Sequence, residues 1–152
     1  MAKLRDELKQ TAAFAPAQEA YLNVMRTADW LTRGVVEVLK AHDLSPTQYN
    51  VLRILRGAEP AGRSCGEIAE RLVTREPDVT RLLDRMAKRE LISRERSEKD
   101  RRVVVTRVTR EGLRLLAELD GQVAAVHERQ FGHLEANEMA TLVRLLERVR
   151  AG

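Results

Sequence analysis

Apolar residues recur every three or four positions over most of the chain, which is the spacing of one face of an α-helix. The longer stretches of this pattern predict helices over about residues 17–41, 46–56, 110–134 and 136–150. Shorter stretches predict two further helices, over about 65–72 and 74–88. Residues 1–16 are weakly helical and end at a proline, so we expect an N-terminal arm there.

Capping sequences indicate where several of these helices begin. A serine followed three residues later by glutamine or glutamate is a capping box, and it occurs at Ser45–Gln48 and Ser64–Glu67. Thr74 is the predicted N-cap of the next helix, which puts Pro77 in the first turn, where a missing N–H costs no hydrogen bond. The short connection between the helix from Ser64 and this one is typical of a helix-turn-helix.

Two segments after the helix-turn-helix have the composition of β-strands. Residues 91–96 and 103–109 alternate or cluster apolar and β-branched side chains, and residues 97–102 between them are charged and predict a turn. The sequence therefore predicts a mainly α protein with one small antiparallel β-hairpin.

Positive charge is concentrated in the segment from Thr74 to Arg110. Twelve Lys/Arg and seven Asp/Glu give it a net charge of +5, whereas the whole chain has +4, so the remainder is at −1. A basic helix followed by a basic hairpin is the electrostatic pattern of an element that binds duplex DNA. The alternative, an ordinary solvated helix face, is disfavoured by the capped helix before it and the basic hairpin after it.

Polar and basic side chains lie off the apolar stripe of the second helix of the pair. Because the first turn of such a helix enters the major groove, we expect base or phosphate contacts near that end. The side chains predicted to face DNA are Thr74, Arg75, Asp78, Thr80 and Arg81, with Arg85 and Lys88 further along the same surface.

The tip of the predicted hairpin carries a cluster of cations that suits the negative potential of a narrow minor groove. Its members are Arg94, Arg96, Lys99, Arg101 and Arg102. Asp100 lies among them, and because phosphates repel a carboxylate, we expect it to accept hydrogen bonds from a neighbouring arginine and to fix the tip. Each cation at the DNA would add counterion release and therefore salt dependence.

Three segments resemble the MarR family of winged helix-turn-helix transcriptional regulators: Leu44–Leu52, Val79–Met86 and Lys99–Gly112. The last contains Asp-Arg-Arg followed by Thr-x-x-Gly, which is the most specific part of the resemblance. The match extends over about residues 17–150. One departure is Glu90, where the family usually has a glycine that ends the helix with positive φ.

The resemblance implies a winged helix-turn-helix with N- and C-terminal dimerisation helices. It divides the chain into an arm and dimerisation helix over residues 1–44, a DNA-binding lobe over 45–110 and C-terminal dimerisation helices over 111–152. A homodimer would place two recognition helices and two wings on double-stranded DNA with a pseudo-palindromic operator, most often as a repressor. Asp100 and Arg101 would lie at the wing tip, and Ser64 joins the expected DNA-binding set.

Members of this family commonly respond to small aromatic or phenolic effectors or to oxidants. Trp30, Arg33, His42 and Tyr49 come from segments that would line an effector crevice and suit an aromatic anion, although core or surface roles are the alternative for each. Cys65 follows the Ser64 cap, where the helix dipole favours a thiolate, but an inert small residue at a helix start is the stronger interpretation.

Other classes of function have little support in the sequence. No apolar run approaches a membrane span, and a single cysteine and a charged N-terminus favour the cytoplasm. The histidine spacing predicts no metal site, and no catalytic motif or cofactor motif occurs, so we expect neither an enzyme nor a cofactor. A winged helix that binds only protein, or a non-specific architectural DNA binder, remains an alternative; concentrated arginines disfavour the first, and the lack of wedge residues the second.

Overall fold

The computed structural model describes residues 3–97 and 100–152. Its helices are α1 (Leu4–Glu7), α2 (Pro16–Lys40), α3 (Pro46–Arg56), α4 (Cys65–Arg71), α5 (Val79–Lys88), α6 (Arg110–Phe131) and α7 (Ala136–Ala151). Its strands are β1 (Arg63–Ser64), β2 (Ile92–Arg96) and β3 (Val104–Val108). The predicted mainly α fold with a small antiparallel sheet is confirmed.

The sheet has the order β1-β3-β2, with both neighbouring pairs antiparallel. The hairpin of β2 and β3 was predicted, and residues 92–108 are called the wing from here on. The short strand β1 was not predicted, because the segment before it contains two glycines and a proline and has the composition of a loop. On one rung, Arg63 and Arg94 both pair with Thr106.

Side-chain caps begin α3 and α4 as the sequence predicts. The Gln48 backbone N–H donates to Ser45 Oγ at 3.1 Å, and the Ser45 N–H donates to Gln48 Oε1 at 3.0 Å. At α4 the Ser64 N–H donates to Glu67 Oε2 at 2.8 Å. Each cap stabilises its helix by about 1 kcal/mol, because the first turn of a helix otherwise leaves N–H groups without partners.

The start of α5 was predicted wrongly. The helix begins at Val79, and its N-cap is Asp78, whose Oδ1 accepts the Arg81 N–H at 2.9 Å. Pro77 explains the difference, because a proline disfavours helical backbone in the residue before it. Thr74 therefore lies in the turn between α4 and α5 rather than at a helix end.

Glu90 ends α5 in the left-handed conformation that the family's glycine would adopt, with φ of 58°. The Leu91 N–H donates to the Met86 carbonyl at 3.2 Å, and the Glu90 N–H donates to the Ala87 carbonyl at 2.9 Å. This pair of bonds is a Schellman motif, and the buried Leu91 and Met86 supply its apolar contact. The motif forms without glycine, and Glu90 carries the backbone strain.

Thr109 joins the end of α5 to the start of α6. Its hydroxyl donates to the Glu90 carbonyl at 2.6 Å and accepts the Gly112 N–H at 3.1 Å. Gly112 is required because a Cβ there would collide with the Leu91 carbonyl oxygen. These contacts give a physical reason for the Thr-x-x-Gly sequence, since the threonine caps α6 and the glycine allows α6 to approach the backbone of the wing.

One apolar core lies among α2, α3, α4, α5 and α6 and the sheet. Its fully buried side chains include Leu39, Leu52, Leu55, Ile68, Leu83, Met86, Leu116 and Leu119. In contrast, α7 has no buried residue, and apolar side chains of α2 and α7 face solvent. The most exposed of these are Val149 at 77% and Tyr21 at 63%.

Candidate nucleic-acid interface

The outer face of α5 is polar and basic because the apolar side chains of this helix are buried in the core. Val79, Leu82, Leu83 and Met86 are buried. Thr80, Arg81, Arg85 and Lys88 are exposed. Throughout residues 3–97 and 100–152, no carboxylate lies within 4.0 Å of the charged groups of Arg81, Arg85 or Lys88. The helix therefore presents unpaired cations to solvent.

The turn between α4 and α5 is held against α3. The Val73 N–H donates to Asn50 Oδ1 at 2.9 Å, which fixes the turn although the Val73 side chain is 87% exposed. Thr74 and Arg75 lie in this turn and are exposed. The sequence placed both in the first turn of the helix, and the structure places them before it.

The wing tip is shaped by bonds to Asp100. Its Oδ1 accepts the Arg102 backbone N–H at 3.0 Å and Arg102 Nε at 3.4 Å. This agrees with the prediction that Asp100 binds a neighbouring arginine. Arg96 Nη1 donates to the Arg101 carbonyl at 3.3 Å, while the Arg101 side chain is exposed. Lys99 lies outside the described residues.

Arg94 has a different place from the one predicted. It lies in the middle of β2, not at the wing tip, and its Nη1 binds Asp84 Oδ1 of α5. Its side chain is only 20% exposed. Arg94 therefore ties the wing to α5, and sequence reasoning missed Asp84 because nothing in the local pattern distinguishes it from other polar residues of the helix.

Ser64 and Cys65 serve the start of α4. The Ser64 hydroxyl accepts the Glu67 N–H at 3.3 Å and donates to Glu67 Oε2 at 3.0 Å. The Ser64 backbone N–H and hydroxyl hold the pKa of the Glu67 carboxyl below its usual range. Cys65 is partly buried, and its Sγ lies 3.6 Å from Thr80 Oγ1 of α5. This contact packs α4 against α5.

The four residues predicted for an effector pocket do not come together. Trp30 and Arg33 line two neighbouring cavities of about 510 and 470 Å³ between α2 and α6, and neither cavity is lined by His42 or Tyr49. Tyr49 is a core residue whose ring lies 5.8 Å from the Arg53 guanidinium carbon. The backbone carbonyl of His42 accepts a bond from Arg89 at 3.1 Å.

Sequence reasoning missed Gln130, which lines both cavities. It is 6% exposed, and its Nε2 donates to the Leu31 carbonyl at 2.9 Å. Its Oε1 is buried and has no hydrogen-bond partner in the described part of the chain. Gly34 makes room for this amide, since a Cβ at that position would come within 2.6 Å of Gln130 Nε2.

Within residues 3–97 and 100–152, no cluster of three or more His, Cys, Asp or Glu side chains has the arrangement of a metal site. Over the same ranges, each helix is too short or too polar to cross a membrane.

Comparisons with known proteins agree with this geometry. The model of the MarR family matches residues 44–104. The crystal structure of a MarR transcription factor from Planctomyces limnophilus is 43% identical, covering 90% of this chain and 98% of that one with a TM-score of 0.69. A mutant MarR from E. coli, complexed with operator DNA, is 25% identical over 97% of this chain and 99% of that one, with a TM-score of 0.77. The PcaV regulator from Streptomyces coelicolor, in complex with its natural ligand, is 26% identical over 93% and 99%, with a TM-score of 0.74.

Proposed function

The chain belongs to the MarR family of DNA-binding transcriptional regulators, and we propose that it represses transcription by binding a pseudo-palindromic operator as a homodimer. The observation that carries this proposal is the row of unpaired cations on α5, next to an arginine-bearing wing. Unpaired cations gain most from phosphate, because binding releases the counterions condensed on DNA. A wing that binds only protein has no need of such a row.

Within this proposal, residues 45–110 form the DNA-binding lobe. The N-terminal end of α5 enters the major groove, where Thr80 and Arg81 contact base edges. Arg85 and Lys88 contact phosphates further along. Arg101 at the wing tip enters the minor groove, whose negative potential attracts a guanidinium.

Residues 1–44 and 111–152 supply the dimer contacts in the same proposal. The support is the apolar surface of α7, which has no buried residue in the single chain. Val143, Leu145 and Val149 are between 47% and 77% exposed. An apolar face of this kind is stable in water when another apolar face covers it. The twofold symmetry of a homodimer would then place its two lobes on the two halves of the operator. The protein would act in the cytoplasm, where its DNA target lies.

We further propose that a small aromatic or phenolic anion binds between α2 and α6 and releases the operator. The cavity beside Trp30 has an aromatic wall, a cation in Arg33, which also pairs with Asp29 at 2.9 Å, and, in Gln130 Oε1, a buried acceptor without a donor among the described residues. A phenol hydroxyl supplies the missing donor, and an unpaired buried acceptor costs about 1–3 kcal/mol. His42 and Tyr49 have no part in this site.

Selection from random double-stranded DNA tests the central proposal. We expect the full chain to enrich two inverted half-sites about 10 base pairs apart, the spacing of one helical turn. Binding should weaken steeply with salt, and a promoter carrying the selected site should be less active when the protein is present. Enrichment of no paired half-sites, or binding without salt dependence, would contradict the proposal.

Titration of salicylate-like compounds, followed by Trp30 fluorescence, tests the effector site. The matched variants are Gln130→Met, which removes the buried acceptor, and Tyr49→Phe, which alters a residue outside the cavity. We expect the ligand-induced fluorescence change to be lost in the first and kept in the second. An unchanged response in Gln130→Met would refute the assignment of Gln130.

A further inference from the structure

We infer that Glu76, in the turn before α5, contacts the exocyclic amine of a cytosine and so determines part of the operator sequence. The inference rests on the proposed placement of α5 in the major groove. Because α5 begins at Val79, the turn of residues 72–78 forms the leading edge of that placement. The turn is held in place by the bond from the Val73 N–H to Asn50 Oδ1 at 2.9 Å.

The Asp78 carboxylate disfavours a phosphate at the N-terminus of α5. Helix N-termini commonly bind phosphate because their first N–H groups lack partners. Here the Asp78 carboxylate accepts the Arg81 N–H at 2.9 Å and also places a negative charge at the helix end. We therefore expect phosphate contacts from the cations further along α5 and on the wing, and base contacts from the turn.

Glu76 is the carboxylate of this turn that has no firm partner. Its Oε1 lies 3.5 Å from the Asp78 backbone nitrogen, the limit of a hydrogen bond. No lysine or arginine in residues 3–97 and 100–152 forms an ion pair with it. Asp78, in contrast, is committed to the cap. In the proposed interface Glu76 would therefore bring Oε2, which accepts no hydrogen bond from the described residues, and Oε1, which accepts only the long bond from Asp78.

The chemistry of the groove limits what an unpaired carboxylate can contact. An ionised carboxylate accepts hydrogen bonds and donates none, and phosphates repel it. In the major groove the donors are the N4 amine of cytosine and the N6 amine of adenine, and glutamate characteristically accepts from cytosine N4. Arg75, the exposed neighbour, supplies the donors that suit guanine O6 and N7. Glu76 and Arg75 together therefore predict a cytosine and a guanine at neighbouring positions of each half-site.

Sequence selection with the full chain and three variants tests the inference. Wild type should enrich a cytosine at one position of each half-site. Glu76→Gln should shift that position towards adenine, which glutamine contacts bidentately, and Glu76→Ala should lose the preference there only. Glu70→Gln on α4 removes the same charge from the same lobe, and we expect it to leave every base preference unchanged.

A single-atom change in the DNA gives the decisive measurement. Replacing the selected cytosine by 2-pyrimidinone, which lacks the 4-amino group, should weaken wild-type binding by about 5- to 150-fold. The same replacement should change binding of Glu76→Ala by less than about twofold, since the bond is already absent. Circular dichroism and thermal unfolding establish that Glu76→Ala keeps the fold.

The outcomes separate this inference from the proposed function. A wild type that selects paired half-sites, together with a Glu76→Ala that keeps every base preference, would overturn the role of Glu76 alone. Uniformly tighter binding of Glu76→Ala at all sites would also overturn it, because the carboxylate would then face the DNA backbone. A wild type without paired half-sites would overturn both.

Discussion

The Arg56 guanidinium holds both carboxylate oxygens of Asp120, at 2.7 and 3.0 Å, and so joins α3 of the proposed DNA-binding lobe to α6. Hydrogen bonding to Arg56 holds the pKa of the Asp120 carboxyl below its usual value. The same pairing raises the pKa of Arg56. A bidentate pair fixes orientation as well as distance, and this one ties α3 to the helix that leads to the proposed dimer surface.

Asp120→Asn should lower the free energy of unfolding by about 0.5–1 kcal/mol at neutral pH, a small value because the pair is partly exposed. The folded pKa of Asp120 is lowered, so its contribution is present above the ordinary carboxyl pKa of about 4 and is lost as pH falls through the folded value. Urea unfolding of both proteins between neutral and acid pH measures this. If the two proteins still differed in free energy of unfolding at the lowest pH, the stabilising role of ionised Asp120 would be contradicted.

Asp84→Asn should weaken operator binding several-fold without changing which operator is preferred. The reason is that Asp84 binds Arg94 and thereby sets the wing against α5. Fluorescence anisotropy with the selected operator and with base-substituted operators measures both effects. Glu95→Gln is the control, because its pair with Arg107 at 3.7 Å is exposed and lies within the wing. Equal effects of the two variants would argue against a positioning role for Asp84.

Glu90→Gly should increase the free energy of unfolding by about 1 kcal/mol. Glu90 has a φ of 58°, which glycine adopts without the steric cost that a Cβ imposes. Lys88→Gly, two residues earlier in helical backbone, should instead destabilise by about 1 kcal/mol. Chemical denaturation of both variants provides the measurement, and a destabilised Glu90→Gly would show that the glutamate side chain contributes more than its backbone costs.

Arg101→Ala and Arg81→Ala should weaken DNA binding in different ways, the first at all sequences and the second mainly at the preferred operator. Arg101→Ala should weaken binding to all DNA sequences and reduce the slope of log K against log salt by about one. Arg81→Ala should cost about 1–3 kcal/mol at the preferred operator and less at others, because a base contact is lost. Titrations at several salt concentrations on two operators distinguish them. A sequence-dependent effect of Arg101 would place the wing tip against bases.

Val149→Asp should convert the protein to a monomer at micromolar concentration. A carboxylate on the exposed apolar face of α7 would have to be desolvated in the proposed dimer. Asn137→Asp puts the same charge at the polar start of α7, where a helix N-terminus favours it, and should leave the dimer intact. Sedimentation velocity gives both masses, and a dimeric Val149→Asp would exclude this face from the interface.

Local features of the fold were predictable from the sequence because the two residues that form each contact lie close together along the chain. The caps at Ser45 and Ser64 each bring together residues three positions apart. The start of α5 was predicted wrongly for a local reason as well: Thr74 was the predicted cap, and the effect of Pro77 on the residue before it was not considered.

The contacts that complete the candidate site join distant residues, and no pattern in one sequence marks them. Arg56 and Asp120 are 64 positions apart, and Gln130 and Leu31 are 99 apart. His42 and Tyr49 were placed in a pocket because their segments would line the crevice that the family resemblance implies and their side chains suit an aromatic anion. Their positions depend on how α2 packs on α3, which periodicity does not determine.

The two hydrogen bonds made by the Thr109 hydroxyl have a consequence for local unfolding of the protein. One hydroxyl oxygen closes the last turn of α5 and the first turn of α6, so neither helix end can fray without losing a partner in the other. We therefore expect the end of α5 and the start of α6 to unfold as one cooperative unit. A change that destabilises α6 near its start should then lower the local stability of α5, the proposed recognition helix.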